Sequence, residues 1–197
     1  SSTRQSFDVT ASIKTMRFDS TGLFENLEFD IQKNTWTCLL GVSGVGKSTL
    51  LKLLAGLTTG DAATEFACSD GSALAGRVAY MGQQDLLLPW LSVIDNVLLG
   101  DRLRSSPDAI RLGNAYELLD RVGLRAYAAE LPAKLSGGMR QRAALVRTLM
   151  EDKPVVAMDE PFSALDAITR LKLQDMAADL LTGRAVFLVT HDPLEAL

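Results

Sequence analysis

Histidine occurs once and cysteine twice among 197 residues. So few thiol and imidazole groups supply no metal-ligand spacing, which sets aside a structural zinc site and a disulfide scaffold. Cys38 lies inside an apolar run, where a thiol serves as core filler, and Cys68 lies in a Ser/Asp/Gly-rich stretch. Two such thiols point to a reducing compartment. An excess of positive charge is also lacking: the formal net charge of −4 argues against a nucleic-acid-coating surface. No apolar run approaches about 18 residues, so nothing in the sequence reads as a bilayer span, and the N-terminus does not read as a signal peptide. The expectation is a cytosolic protein that reaches a membrane only through a partner. Internal repeats, low-complexity tracts and an Asn-Lys-x-Asp guanine reader are missing as well. What remains is an ordinary globular composition, 47% hydrophobic and 22% charged, and a length suited to one α/β domain with a sizeable core.

Within that composition, Gly41-Val42-Ser43-Gly44-Val45-Gly46-Lys47-Ser48-Thr49 matches G-x-x-x-x-G-K-[ST] without a gap. The run Trp36–Leu40 before it reads as a strand and Leu50–Ala55 after it as a helix, the context that a phosphate-binding P-loop requires. Glycines let the backbone turn its N–H groups around an anion, and the helix N-terminus adds partial positive charge. Gly41, Ser43, Gly44, Val45, Gly46 and Thr49 form the cradle, Lys47 reaches the β- and γ-phosphates, and Ser48 offers its hydroxyl to Mg²⁺. The bland alternative is a glycine turn beside a solvated lysine. The flanking elements weigh against it.

From Asp8 to Ile31 the pattern alternates, which predicts antiparallel strands joined through Ser20-Thr21-Gly22. Four further apolar runs have parallel-sheet character: Trp36–Leu40, Val78–Met81, Val155–Met158 and Ala185–Val189. Between them, Ser92 opens a helix running through Leu99. Ser106-Pro107-Asp108 places a cap and an N1 proline ahead of a helix whose face carries Leu112, Ala115, Leu119 and Val122, ended by Gly123. Leu173, Met176, Ala177 and Leu180 mark another amphipathic helix, while Thr58 to Gly76 reads as loop. The fold expected is α/β, a P-loop core with a mostly parallel sheet, an N-terminal antiparallel part and an inserted helical subdomain. The single domain 1–197 divides into a core of 1–84 and 133–197 and a helical part of 85–132.

Two more segments carry chemistry. Val155–Glu160 is an apolar strand ending in two acids, which delivers carboxylates to the ligand-binding edge of a parallel sheet. Asp159 there holds Mg²⁺, and Glu160 polarises the attacking water as a general base. The bland reading is two acids capping the next turn. In Leu135-Ser136-Gly137-Gly138-Met139-Arg140-Gln141-Arg142, Ser136 is a natural N-cap, and Gly137 and Gly138 expose the first N–H groups of a helix striped by Met139, Ala143, Val146 and Met150. This is a second anion site, which one nucleotide does not need within one protomer. A physical resolution is that it serves the nucleotide of another copy.

With these three segments the chain resembles the nucleotide-binding subunit of ABC transporters: Gly41–Thr49 matches that family's Walker A, Val155–Glu160 its Walker B and Leu135–Gln141 its signature. The resemblance implies that Gln83, followed by Leu87-Leu88-Pro89-Trp90, is the Q-loop residue that contacts Mg²⁺ and the attacking water and senses the membrane partner. It implies that Ser163-Ala164-Leu165-Asp166 is the D-loop crossing to the opposite protomer, that His191 contacts the γ-phosphate, and that Phe18 stacks on adenine. Gly82 and Asn34-Thr35 depart from the usual residues at their positions. The chain also stops at Leu197, where the family continues through another helix and further strands, so the C-terminal end reads as truncated. The implied function is an ATPase, with ATP and Mg²⁺, that powers transport through a membrane permease. A homodimer forms in the ATP state, peripheral on the cytoplasmic face of the inner (plasma) membrane, and a solute-binding protein completes the system. The Leu-Leu-Pro-Trp and Leu-Ser-Gly-Gly-Met-Arg-Gln-Arg stretches resemble those of nitrate, sulfonate, taurine and thiamine-precursor importers. Two other functions compete: an exporter or lipid-transport ATPase, and a soluble ABC ATPase acting on DNA or ribosomes.

Overall fold

The computed structural model describes residues 7–18, 21–41, 46–58, 64–104 and 108–193. Contacts divide the chain into two units, one of residues 1–80, 153–160 and 182–197, the other of 81–152 and 161–181.

The first unit carries two sheets. Strands β1 (Val9–Phe18), β2 (Thr21–Ile31) and β4 (Thr64–Cys68) form an antiparallel sheet in the order β2-β1-β4, with Val9 opposite Ile31 and Cys68. Thr21 and Gly22 pair with Phe18 and Arg17 inside the ladder, so these two residues of the expected turn belong to β2; Ser20 lies outside the described residues. Strands β3 (Trp36–Leu40), β5 (Val78–Met81), β6 (Val155–Asp159) and β7 (Ala185–Thr190) form the second sheet, in the order β3-β7-β6-β5. Every residue of β6 and β7 is buried, which explains why these two strands read as unbroken apolar runs. Phe29 of β2 stacks on Phe187 of β7 with ring centroids 5.0 Å apart. Val9, Ile13, Ile31, Val155, Ala157 and Val189, all fully buried, fill the core around that contact. Helix α1 (Lys47–Leu54) closes the layer by burying Leu50, Leu51 and Leu54, one helical face at i, i+3, i+4 spacing. It ends where Gly56 takes φ 71 and Leu57 N–H returns to Lys52 O at 2.8 Å.

The segment Thr58–Gly76 is not wholly loop. Thr64–Cys68 is a five-residue strand that buries Cys68 and half-buries Phe66. Its pattern is short and flanked by polar residues, and only pairing with β1 makes it a strand. Cys38 is half-buried and Cys68 buried, and no disulfide joins them.

The second unit is helical: α2 (Val93–Val97), α3 (Leu99–Arg104), α4 (Ala109–Arg121), α5 (Gly137–Met150) and α6 (Ala167–Leu180). The expected helix through Leu99 breaks after Val97, where Leu98 ends α2 and a second short helix begins. The cap of α4 is Asp108, whose carboxylate accepts the Arg111 N–H at 2.7 Å. That moves the start expected at Ser106-Pro107, residues outside those described. Ala115, Leu119 and Val122 are fully buried on the α4 side, but Leu112 is largely exposed, so the apolar face is narrower than the spacing implied. Gly123, at φ 69, terminates α4 as expected. Helix α5 is the centre of this unit and packs against α2, α3, α4 and α6. It buries Ala143, Ala144, Leu145, Val146, Leu149 and Met150.

Candidate nucleotide site

Parallel register brings the chemistry of the first unit to one edge. Leu40 pairs with Thr190 and Asp159 with Val189, so the chain leaves β3, β6 and β7 at the same level. Gly41 N–H still reaches Thr190 O at 3.4 Å, and Glu160 N–H reaches Val189 O at 2.8 Å. Gly41, Glu160 and His191 therefore follow directly from the C-terminal ends of three adjacent strands. Ligands of open parallel sheets gather at that edge.

Helix α1 starts there. Its N-cap, Gly46, sits in the left-handed region at φ 88, a conformation that costs a residue with a Cβ about 1 kcal/mol or more. No side chain caps the first N–H groups and no acid occupies the first turn, so the positive end of the helix is left for an anion. Lys47 is buried to 5% exposure and its ammonium donates to Gly41 O. The lysine thus reaches back to the residue that follows β3. Ser48 is exposed and Thr49 half-buried. Ser43, Gly44 and Val45 lie outside the described residues, and Phe18 is described only as the backbone end of β1, paired with Thr21.

At β6 the two acids occupy different settings. Asp159 is the last strand residue, 6% exposed, and its Oδ2 accepts the Tyr80 hydroxyl at 3.3 Å. Burial, then the Asp159 charge and this hydrogen bond, push the Tyr80 hydroxyl up to about 12, which keeps it protonated and donating. Glu160 leaves the strand at φ 44, a strained conformation for a non-glycine residue, costing on the order of 1–3 kcal/mol. That turn, with its N–H on Val189 O, aims the carboxylate at β7, where Oε2 lies 3.0 Å from His191 Nδ1. Glu160 is buried, whereas the His191 side chain is half-exposed. Asp159 and Glu160 are not the caps of a following helix: Asp166 caps α6.

The donor set fits Mg²⁺. Asp159 and Ser48 offer hard oxygens, and the described residues hold no group of three or more His, Cys, Asp or Glu able to cage an ion. A hydrated ion held by one carboxylate, one hydroxyl and substrate phosphates suits that supply.

The second unit carries the remaining candidates. Ser136 caps α5, its hydroxyl accepting Met139 N–H at 3.3 Å, which leaves the N–H groups of Gly137 and Gly138 without a partner among the described residues. A Cβ on Gly138 would lie 2.8 Å from Thr169 Cγ2, whereas one on Gly137 would meet only the tip of Arg140 at 3.9 Å. Gln83 is exposed and its amide donates to Ser163 Oγ at 3.4 Å. Asp166 accepts Thr169 N–H at 3.1 Å as the α6 cap. A hydrogen bond from the Thr169 side chain, and then this one from its N–H, hold the carboxyl below the usual carboxylate range.

Three polar residues escaped the sequence reading. Tyr80 looked like one more residue of an apolar strand; its signal was a hydroxyl at the C-terminal end of β5, next in the sheet to β6. Gln141, 6% exposed, donates to Pro161 O. Asn96 is fully buried beneath the segment that follows Gln83. Both are polar residues on otherwise buried helix faces, which is the pattern that betrays a buried hydrogen-bonding role.

Comparison with known proteins agrees with this arrangement. Residues 24–163 match the ABC transporter family. The chain is 45% identical over 182 residues to an uncharacterized ABC transporter ATP-binding protein of Haemophilus influenzae, covering 92% of this chain and 75% of that protein. It is 41% identical to the taurine import ATP-binding protein TauB of Pseudomonas aeruginosa, over 96% of this chain and 74% of that one. It is 44% identical to the aliphatic sulfonates import ATP-binding protein SsuB of Delftia acidovorans, over 91% and 71%. Among solved structures, an inward-facing metal-chelate type ABC transporter superposes with a TM-score of 0.81 at 26% identity, over 96% of this chain and 75% of that chain. The chain belongs to the ABC transporter family and is one of its ATP-binding subunits, the ATPases that power transport through membrane permeases.

Proposed function

We propose that this subunit binds Mg²⁺-ATP at the β3-β7-β6 edge and drives import of a small sulfonate, taurine or an aliphatic sulfonate, through its permease. The observation that carries the site assignment is the common level of Gly41, Glu160 and His191, with Glu160 held 3.0 Å from the histidine. The names of the relatives supply the solute class.

Lys47 and the Gly41–Thr49 loop hold the β- and γ-phosphates, and Phe18 lies against adenine. Ser48, Asp159 and Gln83 hold the metal, which when bound supplies positive charge to the phosphates. Glu160 accepts a proton from the attacking water. The His191 ring contacts the γ-phosphate, and its Nδ1, 3.0 Å from Glu160 Oε2, orients that carboxylate. Ser136, Gly137, Gly138 and Asp166 serve the nucleotide of a second copy, so that ATP joins a homodimer and hydrolysis loosens it.

No helix among the described residues is long and apolar enough to cross a membrane. As in the import systems whose ATP-binding subunits it resembles, the subunit is proposed to work peripherally on the cytoplasmic face of the inner membrane, in a system completed by a solute-binding protein. Trp90 is 71% exposed and Leu86 58% exposed. These residues and Pro89, in the segment after Gln83, form the apolar surface on which the permease docks.

The test is Ser136→Arg in the assembled transporter. ATP affinity stays within about twofold of wild type, while turnover and ATP-dependent dimerisation fall at least tenfold. A variant that dimerises and turns over normally contradicts the shared site. Uptake of taurine and ethanesulfonate, measured against nitrate and thiamine, decides the solute separately.

A further inference from the structure

The segment from Asp85 to Leu91 joins the residues after Gln83 to helix α2 and has no regular secondary structure. Such a connection ordinarily moves. Here side chains from two helices hold it from within. The Arg147 guanidinium of α5 donates to both Asp85 O and Leu86 O, each at 2.7 Å. The Asp85 carboxylate accepts Arg140 Nε at 3.0 Å and its own Leu87 N–H at 3.1 Å. Asn96, fully buried on α2, accepts Leu88 N–H at 2.7 Å and donates to Leu88 O, Leu91 O and Ser92 O at 3.0–3.1 Å.

Leu86 is kept at φ 47, a strained conformation that persists only where its surroundings over-determine it. Burial disfavours the Arg147 charge, partly offset by Asp85 and Glu151. A half-buried guanidinium donating to two loop carbonyls is a costly way to hold a loop that needs no holding. Its other end is α5, the helix whose first turn is Ser136–Gly138. On the outward side the same loop shows Leu86, Pro89 and Trp90.

We propose that Arg147 is the positioning residue that couples permease to ATPase: by fastening the Asp85–Leu91 loop to α5, it makes docking surface and signature turn one rigid body. A load on Leu86 and Trp90 then displaces the Ser136–Gly138 turn, and shifts Gln83 two residues from the anchor, instead of being absorbed by the loop. This rests on the docking surface proposed above.

The experiment uses the subunit alone and reassembled with its permease and solute-binding protein, comparing wild type, Arg147→Lys and Arg147→Gln. Lysine keeps the charge but cannot fork to both carbonyls. The expected result has four parts. ATP affinity and assembly with the permease stay within about twofold of wild type. Amide hydrogen exchange of residues 87–91 accelerates at least tenfold while the middle of α5 is unchanged. The fold-stimulation of ATPase by the permease drops about tenfold in Arg147→Gln and less in Arg147→Lys. Trp90→Ala weakens assembly without changing loop exchange.

Normal stimulation in an Arg147→Gln protein whose loop exchanges faster overturns the proposal, as does unchanged loop exchange. If Trp90→Ala assembles normally, the docking reading fails instead. If the arginine variants do not fold, Asp85→Asn, which weakens the loop's second tie to α5 through Arg140 Nε, is expected to speed loop exchange and lower the fold-stimulation in the same direction.

Discussion

The two glycines of the signature turn face different neighbours, and this separates packing from anion binding. Adding a Cβ at Gly138 places it 2.8 Å from Thr169 Cγ2, the methyl of a β-branched residue in the first turn of α6. That methyl cannot swing away without leaving its rotamer. Overpacking of this kind costs about 1–3 kcal/mol. Alanine in place of glycine inside a helix returns about 0.5–1 kcal/mol. Gly138→Ala should therefore be destabilised by about 0.5–2 kcal/mol.

Thr169→Ser removes the methyl and keeps the N–H bonded to Asp166. In that background the same glycine substitution should stabilise by about 0.5–1 kcal/mol, giving a coupling energy of about 1–3 kcal/mol in a double-mutant cycle. Gly137→Ala, whose Cβ meets only Arg140 at 3.9 Å, should gain the helix contribution outright. Urea unfolding of the four proteins of the cycle and of Gly137→Ala measures all of this. Turnover measured in parallel shows whether either glycine is needed for close approach to a phosphate. Equal stability of Gly138→Ala and wild type, or a coupling energy near zero, would refute the packing argument.

Two further substitutions probe the carboxylates. Tyr80→Phe removes only the hydroxyl on Asp159 Oδ2, so one hydrogen bond of about 0.5–1.5 kcal/mol is lost. The Mg²⁺ concentration for half-maximal stimulation of ATP binding should rise about two- to tenfold in a fluorescent-nucleotide titration, with KM for ATP at saturating Mg²⁺ unchanged; no change removes Tyr80 from the site. Asp166→Asn tests the α6 cap. Because the folded carboxyl titrates below 3.8, its contribution is complete above that pH and is lost as the pH falls through the lower, folded value. The stability difference between wild type and Asp166→Asn should therefore be constant near neutrality and shrink progressively as the pH falls below 3.8 toward the folded value, read from denaturant midpoints against pH.

Much of this was legible in the sequence wherever one local pattern carried the whole signal. The run at Ala185–Val189 became a fully buried strand because nothing but a covered parallel sheet accommodates it, and Trp36–Leu40 became a strand with a half-buried middle and exposed ends. Ser136 and Ser92 cap helices as their spacing implied. What was not legible depended on distant partners. Thr64–Cys68 is a strand only by pairing with β1, and the start of α4 moved to Asp108 because an aspartate cap displaced a serine two residues earlier. Tyr80 matters only because β5 lies beside β6. Glu160 was recognisable as an acid after a strand, but its strained backbone and its approach to His191 follow from the β6–β7 register, which no local pattern encodes.

The central claim is that Glu160 is the base for hydrolysis while other groups hold the nucleotide. Single-turnover hydrolysis and equilibrium ATP binding by Glu160→Gln test it most directly. Glutamine keeps the shape, so ATP affinity should stay within about twofold of wild type, while hydrolysis falls by about 10²–10⁴. Hydrolysis at the wild-type rate, or loss of ATP binding together with hydrolysis, would contradict it.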